Sequence, residues 1–298
     1  MVAKIKSSRE SKILFPQSNI TKGDLLEYYQ KIAPLMLPYL KNRPLVMQRF
    51  PDGITKEGFY HKNAPEYFPA WIKTINIPRE DGKPVHYVLC NNKKTLLYLV
   101  NQATIVFHGW LSKINKLNYP DKMIFDLDPS GKAKFKDVQE AAKKIKDLLD
   151  ELNLKSIPIL TGSRGVHIVI PLKTIHTFEF VHHFAHMIGL FLSNKFPKLL
   201  TTEISKIKRK NRIFVDYLRN SLSATAVTPY SVRALESAPI SKPISWEELF
   251  EKSMNQQKYT ISNIFKHAKL HYQPHIRGQN LQKALKRLKT IKISMEKH

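Results

Sequence analysis

The stretch Met123-Ile124-Phe125-Asp126-Leu127-Asp128-Pro129-Ser130 restricts this chain more than any other. Met123, Ile124 and Phe125 favour burial, Asp126 and Asp128 need water or a cation, and Pro129 ends the run. Alternate residues of an extended strand share a face, so Asp126 and Asp128 project together while Phe125 and Leu127 pack behind them. Two neighbouring carboxylates repel unless a cation sits between them. Hard oxygen donors at a strand end suit magnesium or manganese. A plain strand closed by an Asp-Pro turn has the same sequence, so the rest of the chain has to decide.

Ile213-Phe214-Val215-Asp216-Tyr217 is a second apolar strand with an isolated carboxylate. If it neighbours the first, three carboxylates converge and can hold two divalent cations about 4 Å apart, which clamp the attacking and leaving oxygens of a phosphoryl centre. Otherwise Asp216 is a lone polar strand residue. Thr161-Gly162-Ser163-Arg164-Gly165 joins strands at Ser156–Leu160 and Val166–Ile170. Its amides, hydroxyls and guanidinium are the donors a triphosphate needs. It has neither P-loop nor dinucleotide spacing, and a hairpin turn explains its glycines but not Arg164. His167 either points at the same phosphates or packs in the core.

Phosphate is also the ligand that composition favours. The 49 Lys and Arg against 24 Asp and Glu leave a net charge of +25, which calls for a polyanionic partner, nucleic acid first. No long amphipathic helix with a separate basic face suits a membrane surface. Lys206, Lys208, Arg209, Lys210 and Arg212 crowd one segment just before the Asp216 strand; it is either a solvated loop or a phosphate contact. Phe59 and Tyr60, beside His61 and Lys62, either stack on an unpaired base or form a buried pair. His182, His183 and His186 lack the glutamate of a His-Glu-x-x-His motif and read as the polar stripe of a helix. Cys90 is the single cysteine, which excludes an internal disulfide framework and fits a reducing compartment. With a charged N-terminus from Lys4 and no apolar run near 18 residues, the chain reads as soluble and cytosolic, without signal peptide or membrane span.

The patterning predicts intermixed strands and helices in one compact unit. Thr21 and Asp24 form a capping box before a helix, and a second short helix running to Leu40 is broken by Pro34 and Pro38. Strands are expected at 45–50, 59–62, 71–77, 85–90, 104–110 and 213–218, with a polar turn at 79–83. Helices are expected at 96–100, 135–152 and 178–196, and a basic one near 281–289.

Taken in order, these stretches resemble the polymerase domain of bacterial ligase D, a member of the archaeo-eukaryotic primase superfamily that serves non-homologous end joining. The likeness runs from Lys12-Ile13-Leu14-Phe15-Pro16 and Thr21-Lys22-Gly23-Asp24 to Trp246-Glu247-Glu248-Leu249. It includes Arg43-Pro44-Leu45, Arg49-Phe50-Pro51-Asp52-Gly53, the Asp126 stretch, Thr161 to His167, Val215-Asp216-Tyr217 and Thr228-Pro229-Tyr230-Ser231-Val232-Arg233.

The resemblance implies an α+β fold, a primase-like core of mixed, largely antiparallel sheets flanked by helices, in a single domain. Residues 1–120 would carry the 5′-phosphate and template contacts, 121–240 the catalytic core, and 241–298 a helical, basic region. It implies a template-directed nucleotidyltransferase that extends a DNA 3′ end, prefers ribonucleoside triphosphates and uses two Mn2+ or Mg2+ ions on Asp126, Asp128 and Asp216. Thr161, Arg164, His167, Arg209, Arg233 and His108 would contact the nucleotide. Lys12 and Lys22 would hold the downstream 5′-phosphate, and Phe59 and Tyr60 the template. Gapped or broken DNA, Ku and a DNA ligase are the implied partners, with an end-bridging dimer on DNA and a nucleoid-associated location. Gln48 stands where the family has Lys, Arg219 where it has Gln, and Thr161 where it more often has Ser. A primase that starts chains without a primer, a DNA-end-binding module with lapsed catalysis and a metal-dependent nuclease are the competing readings.

Overall fold

A computed structural model describes residues 9–78, 82–267 and 276–296. Most of the basic lead-in from Lys4, and residues 79–81 of the expected polar turn, lie outside them. The fold divides into two compact units. One draws on Met1–Asn115, Thr225–Lys242 and Gln257–His271, the other on Lys116–Ala224, Pro243–Gln256 and Tyr272–His298.

In the first unit, β1 (Ile13–Phe15) and β2 (Ile20–Thr21) pair and lead into α1 (Lys22–Leu40). The Thr21 hydroxyl accepts from Asp24 N–H at 3.1 Å and the Asp24 carboxylate accepts from Thr21 N–H at 2.8 Å, the capping box expected from the sequence. The expected break at Pro34 and Pro38 does not occur: one helix runs through both. Each proline costs about 3 kcal/mol in a helix interior. Burial of Ile32, Met36 and Leu40 offsets this at roughly 2 kcal/mol apiece, so tertiary packing overrides the local preference.

The sheet of this unit contains β3 (Pro44–Arg49), β5 (Thr74–Pro78), β6 (Pro84–Leu89), β7 (Thr104–Trp110) and β13 (Thr225–Val227), in the order β13-β7-β3-β6-β5. All neighbours are antiparallel, and β4 (Phe59–His61) also pairs with β3. β5 starts at Thr74 rather than Trp71 because a turn closes first, with Ile72 N–H donating to Pro69 O at 2.9 Å. α2 (Lys93–Asn101) packs on α1 and β7.

The second unit is built on β8 (Lys122–Pro129), the strand with the paired aspartates. Its sheet adds β9 (Ile157–Leu160), β10 (Val166–Pro171), β11 (Leu200–Thr201) and β12 (Ile213–Asp216), in the order β11-β12-β8-β10-β9. Only the β11–β12 pair among these is parallel. α3 (Phe135–Glu151) and α4 (Phe178–Lys195) pack against this sheet. Val138, Ala142, Ile145 and Leu149 supply the buried stripe of α3 at helical spacing. After α5 (Trp246–Leu249), α6 (Gln282–Glu296) buries Ala284 and Leu288. The class is α+β with largely antiparallel sheets flanked by helices, as expected. Among the described residues no helix is long and apolar enough to cross a membrane.

Candidate active site

The period-two pattern of β8 buries Phe125 and Leu127 and leaves Asp126 and Asp128 partly open. Register then brings in the partners. Asp216 on β12 lies directly opposite Asp126, and His167 on β10 lies opposite Asp126 from the other side. His167, Asp126 and Asp216 therefore form one row across three strands. His167 Nε2 is 3.6 Å from Asp126 Oδ2 and the ring is buried, so His167 faces the acids rather than a purely apolar core. Phe214 lies opposite Asp128.

β12 ends at Asp216, two residues earlier than expected, and a 3-10 turn at Leu218–Asn220 follows. The Asp216 Oδ1 atom accepts from Leu218 N–H at 2.9 Å, which pulls the chain out of the strand. Asn220 is fully buried. Its Oδ1 accepts from Ile124 N–H at 2.8 Å, and its Nδ2 donates to Ile124 O at 2.8 Å and Tyr217 O at 2.9 Å. The turn is thus fastened to β8 two residues before Asp126.

Three guanidiniums answer the three carboxylates. Arg219 Nε lies 3.4 Å from Asp126 Oδ2 and 3.4 Å from Asp216 Oδ2. Arg164 Nη2 donates to Asp128 Oδ1 at 3.2 Å, and Arg209 Nη1 to Asp128 Oδ2 at 3.3 Å. Arg209 is buried, stacked 3.7 Å from the Phe214 ring centroid, and its other nitrogens donate to Glu203 O and Ile204 O at 2.9 Å each. The basic segment around it is seated by Gly131, whose φ is +58° and where a Cβ would lie 2.4 Å from Asn211 Oδ1. Burial pushes the Asp216 carboxyl above the ordinary aspartate range; Arg219 pulls it down and Asp126 pushes it further up.

The Thr161 turn differs from the expected cradle of open donors. Thr161 is buried, and its hydroxyl donates to Gly165 O at 2.9 Å and accepts from Ser163 N–H at 3.3 Å, so it closes the turn. Gly165 is needed for close approach: a Cβ there would stand 2.1 Å from Leu127 O, between the two aspartates. Arg164 is the open donor, with a side chain 64% exposed.

The remaining predicted residues lie in the first unit. Lys12 Nζ donates to Asp52 Oδ1 at 2.9 Å, and Lys22 N–H donates to Lys12 O at 2.8 Å, so the two lysines are neighbours. Lys22 is buried, which lowers its pKa, and Arg9 adds to the effect. Phe59 and Tyr60 are 46% and 61% exposed, an open aromatic pair rather than a buried one. The pair stands opposite Arg49 and Gln48 on β3. The Tyr60 ring meets His108 edge-on at 5.8 Å between centroids. Arg233 donates its backbone N–H to Pro239 O at 2.7 Å.

His182, His183 and His186 line a shallow cleft of about 450 Å³ with Phe178, Glu179, Ser221 and Leu222. His186 stacks on Tyr217 at 4.2 Å and burial lowers its pKa. Among the described residues no three His, Cys, Asp or Glu side chains are arranged as a ready metal cage. The acids of β8 and β12 are held by arginines instead, although their donor set of carboxylate oxygens on adjacent strands suits a hard divalent ion. The sequence reading missed Asn220 and the closeness of Gly165 to β8. The Asp216–Arg219 spacing of three residues was the one local signal for their ion pair.

Sequence and fold both bear on the family. The model of the LigD primase-polymerase domain matches residues 21–275. The chain is 32% identical over 262 residues to the bifunctional non-homologous end joining protein LigD of Bacillus subtilis, covering 88% of this chain and 42% of that protein. It is 33% identical over 247 residues to the multifunctional LigD of Pseudomonas aeruginosa, covering 83% and 29%. It thus spans less than half the length of these curated relatives. The polymerase domain from Mycobacterium tuberculosis ligase D, solved in complex with DNA, has the same fold, with a TM-score of 0.82 at 24% identity over 88% of this chain and 93% of that one.

Proposed function

The chain belongs to the LigD primase-polymerase domain family, a family of polymerase-type nucleotidyltransferases, and on that premise we propose that it fills gaps at broken DNA ends by template-directed addition of nucleotides, preferably ribonucleotides, to a 3′ end. The observation that carries this reading is the row His167–Asp126–Asp216, with Asp128 beside it, on three adjacent strands.

Asp126, Asp128 and Asp216 are the residues that would hold two Mn2+ or Mg2+ ions, which when bound supply a Lewis acid for the 3′ hydroxyl and for the departing pyrophosphate. The chain's own groups do the positioning. Arg209, fixed by two backbone carbonyls and the Phe214 ring, presents one remaining nitrogen to the Asp128 side of the site and suits a phosphate oxygen there. Arg164 can reach the same triphosphate from an exposed position. His167, 3.6 Å from Asp126 Oδ2, would orient that carboxylate or a phosphate beside it. Thr161 acts through the turn it closes, holding Arg164 in place.

In the first unit, Lys12 and Lys22 suit a downstream 5′-phosphate, and Phe59 and Tyr60 are open enough to stack on a template base. His108 and Arg233 are assigned to the nucleotide from the family pattern. Ku, a DNA ligase and an end-bridging dimer on DNA are the partners this role would need.

The test is extension of a one-nucleotide gap whose downstream strand carries a 5′-phosphate. The reading expects faster filling than with a 5′-hydroxyl, and faster with a ribonucleoside than a deoxyribonucleoside triphosphate. Efficient chain starts on unprimed template would favour a primase, and release of nucleotides without added triphosphate a nuclease.

A further inference from the structure

The acid cluster is electrically balanced by the protein itself: Asp126, Asp128 and Asp216 face Arg164, Arg209 and Arg219. The three arginines are not equivalent. Arg164 and Arg209 both address Asp128, and Arg209 is buried and tethered by two further hydrogen bonds. Arg219 pairs with both members of the opposed pair Asp126 and Asp216, and it does so from an open position, with 45% of its side chain exposed.

The backbone that carries it is fixed on both sides. The turn carrying it is fastened at one end by the bond from Leu218 N–H to Asp216 Oδ1, and at the other by the three buried bonds of Asn220. The guanidinium is therefore delivered to the β8–β12 row while its outer atoms stay free to turn into solvent. It meets the Oδ2 atom of each carboxylate, and in Asp216 the other oxygen is already occupied by the Leu218 amide. A divalent ion bridging the two carboxylates through their Oδ2 atoms would take the place Arg219 now holds.

We propose that Arg219 is a built-in counter-ion of the Asp126–Asp216 pair, which holds the two carboxylates in register before a divalent ion arrives and has to swing out for one to enter. The inference rests on reading the three acids as the metal site, and it goes beyond that reading by assigning this chain a raised threshold for metal. A unit positive charge about 5 Å from a dication opposes binding by on the order of tenfold, even in a water-like dielectric. Salt weakens this moderately.

The experiment is a Mn2+ titration of the full chain, followed by the electron paramagnetic resonance signal of free Mn2+, with no nucleotide or DNA present. Wild type, Arg219→Gln, Arg219→Ala, Arg219→Lys, Asp126→Ala and Asp216→Ala are compared. Arg219→Gln and Arg219→Ala are expected to bind Mn2+ about tenfold more tightly than wild type, and Arg219→Lys to stay within about threefold of it. In EDTA the two uncharged variants should melt below wild type, and Mn2+ should raise their melting temperatures more than it raises that of wild type. Equal Mn2+ affinity in wild type, Arg219→Gln and Arg219→Ala, while both aspartate variants lose binding, overturns the counter-ion role and leaves the metal site standing. Unchanged binding in the aspartate variants overturns the metal reading and the inference with it.

Discussion

Asp216, the last residue of β12, lies directly across from Asp126 of β8, and the Nε atom of Arg219 stands 3.4 Å from a carboxylate oxygen of each. Two like charges are thereby placed in register on neighbouring strands, an arrangement that is unfavourable unless something positive is shared between them. A protein built only for stability gains nothing from it. In the reading proposed above, a divalent cation is what the pair would share.

The pH dependence of stability follows from that pairing. The folded-state pKa of Asp216 is raised, chiefly by burial. Its ionised form is therefore disfavoured in the folded chain, and the associated stability is present below the unfolded-state value of about 4 and is lost as pH rises through the folded value. Asp216→Asn lacks this loss. In EDTA, the stability difference between variant and wild type, read from urea unfolding, should shift in favour of the variant between pH 3 and pH 7. A shift in the opposite direction contradicts the assignment of burial as the dominant cause.

Asn220→Ala should destabilise the chain by about 3 kcal/mol, because it strands the Ile124 N–H and the Ile124 carbonyl in a buried place. Denaturant unfolding measures this directly. A change under about 0.5 kcal/mol, the range of ordinary surface substitutions, means that the turn is not fastened to β8 as described.

Gly165→Ala forces a methyl group to within 2.1 Å of Leu127 O, against backbone that cannot turn aside. Overpacking of this kind costs typically ~1–3 kcal/mol. Because Leu127 separates the two aspartates, nucleotide incorporation should fall more than stability alone explains. Activity assayed well below the melting temperature separates the two effects.

Phe59→Ala and Tyr60→Ala act on exposed rings, so unfolding free energy should stay within about 0.5 kcal/mol of wild type. Binding to a duplex with an unpaired template base should weaken by about 1–3 kcal/mol per stacked base, read by fluorescence anisotropy. Undiminished binding in the double variant removes these residues from the template contact.

How much of this was legible in the chain depends on the range of the interaction. The shared face of Asp126 and Asp128, the capping box at Thr21 and the stripe of α3 follow from periodicities of two and 3.6, which are local. The adjacency of Asp216 to Asp126 is not local. β12 pairs with β8 across more than eighty residues, and only the family resemblance linked them in advance. Pro34 and Pro38 misled because local propensity is set aside where a helix face is buried as completely as that of α1. Thr161 looked like an open donor because a hydroxyl in a glycine turn carries no mark of the carbonyl that claims it. Asn220 had no signal at all, since an asparagine in a turn is unremarkable until the strand it holds is known.

The acids of β8 and β12 are proposed to carry nucleotide transfer. Single-turnover incorporation of labelled ribonucleotide into a 5′-phosphorylated gap with Mn2+, comparing wild type with Asp128→Ala, decides this. A loss of about a hundred- to a thousandfold is expected, on the scale seen when a principal electrostatic group is removed from a reaction centre. Incorporation by Asp128→Ala within a few-fold of wild type contradicts it.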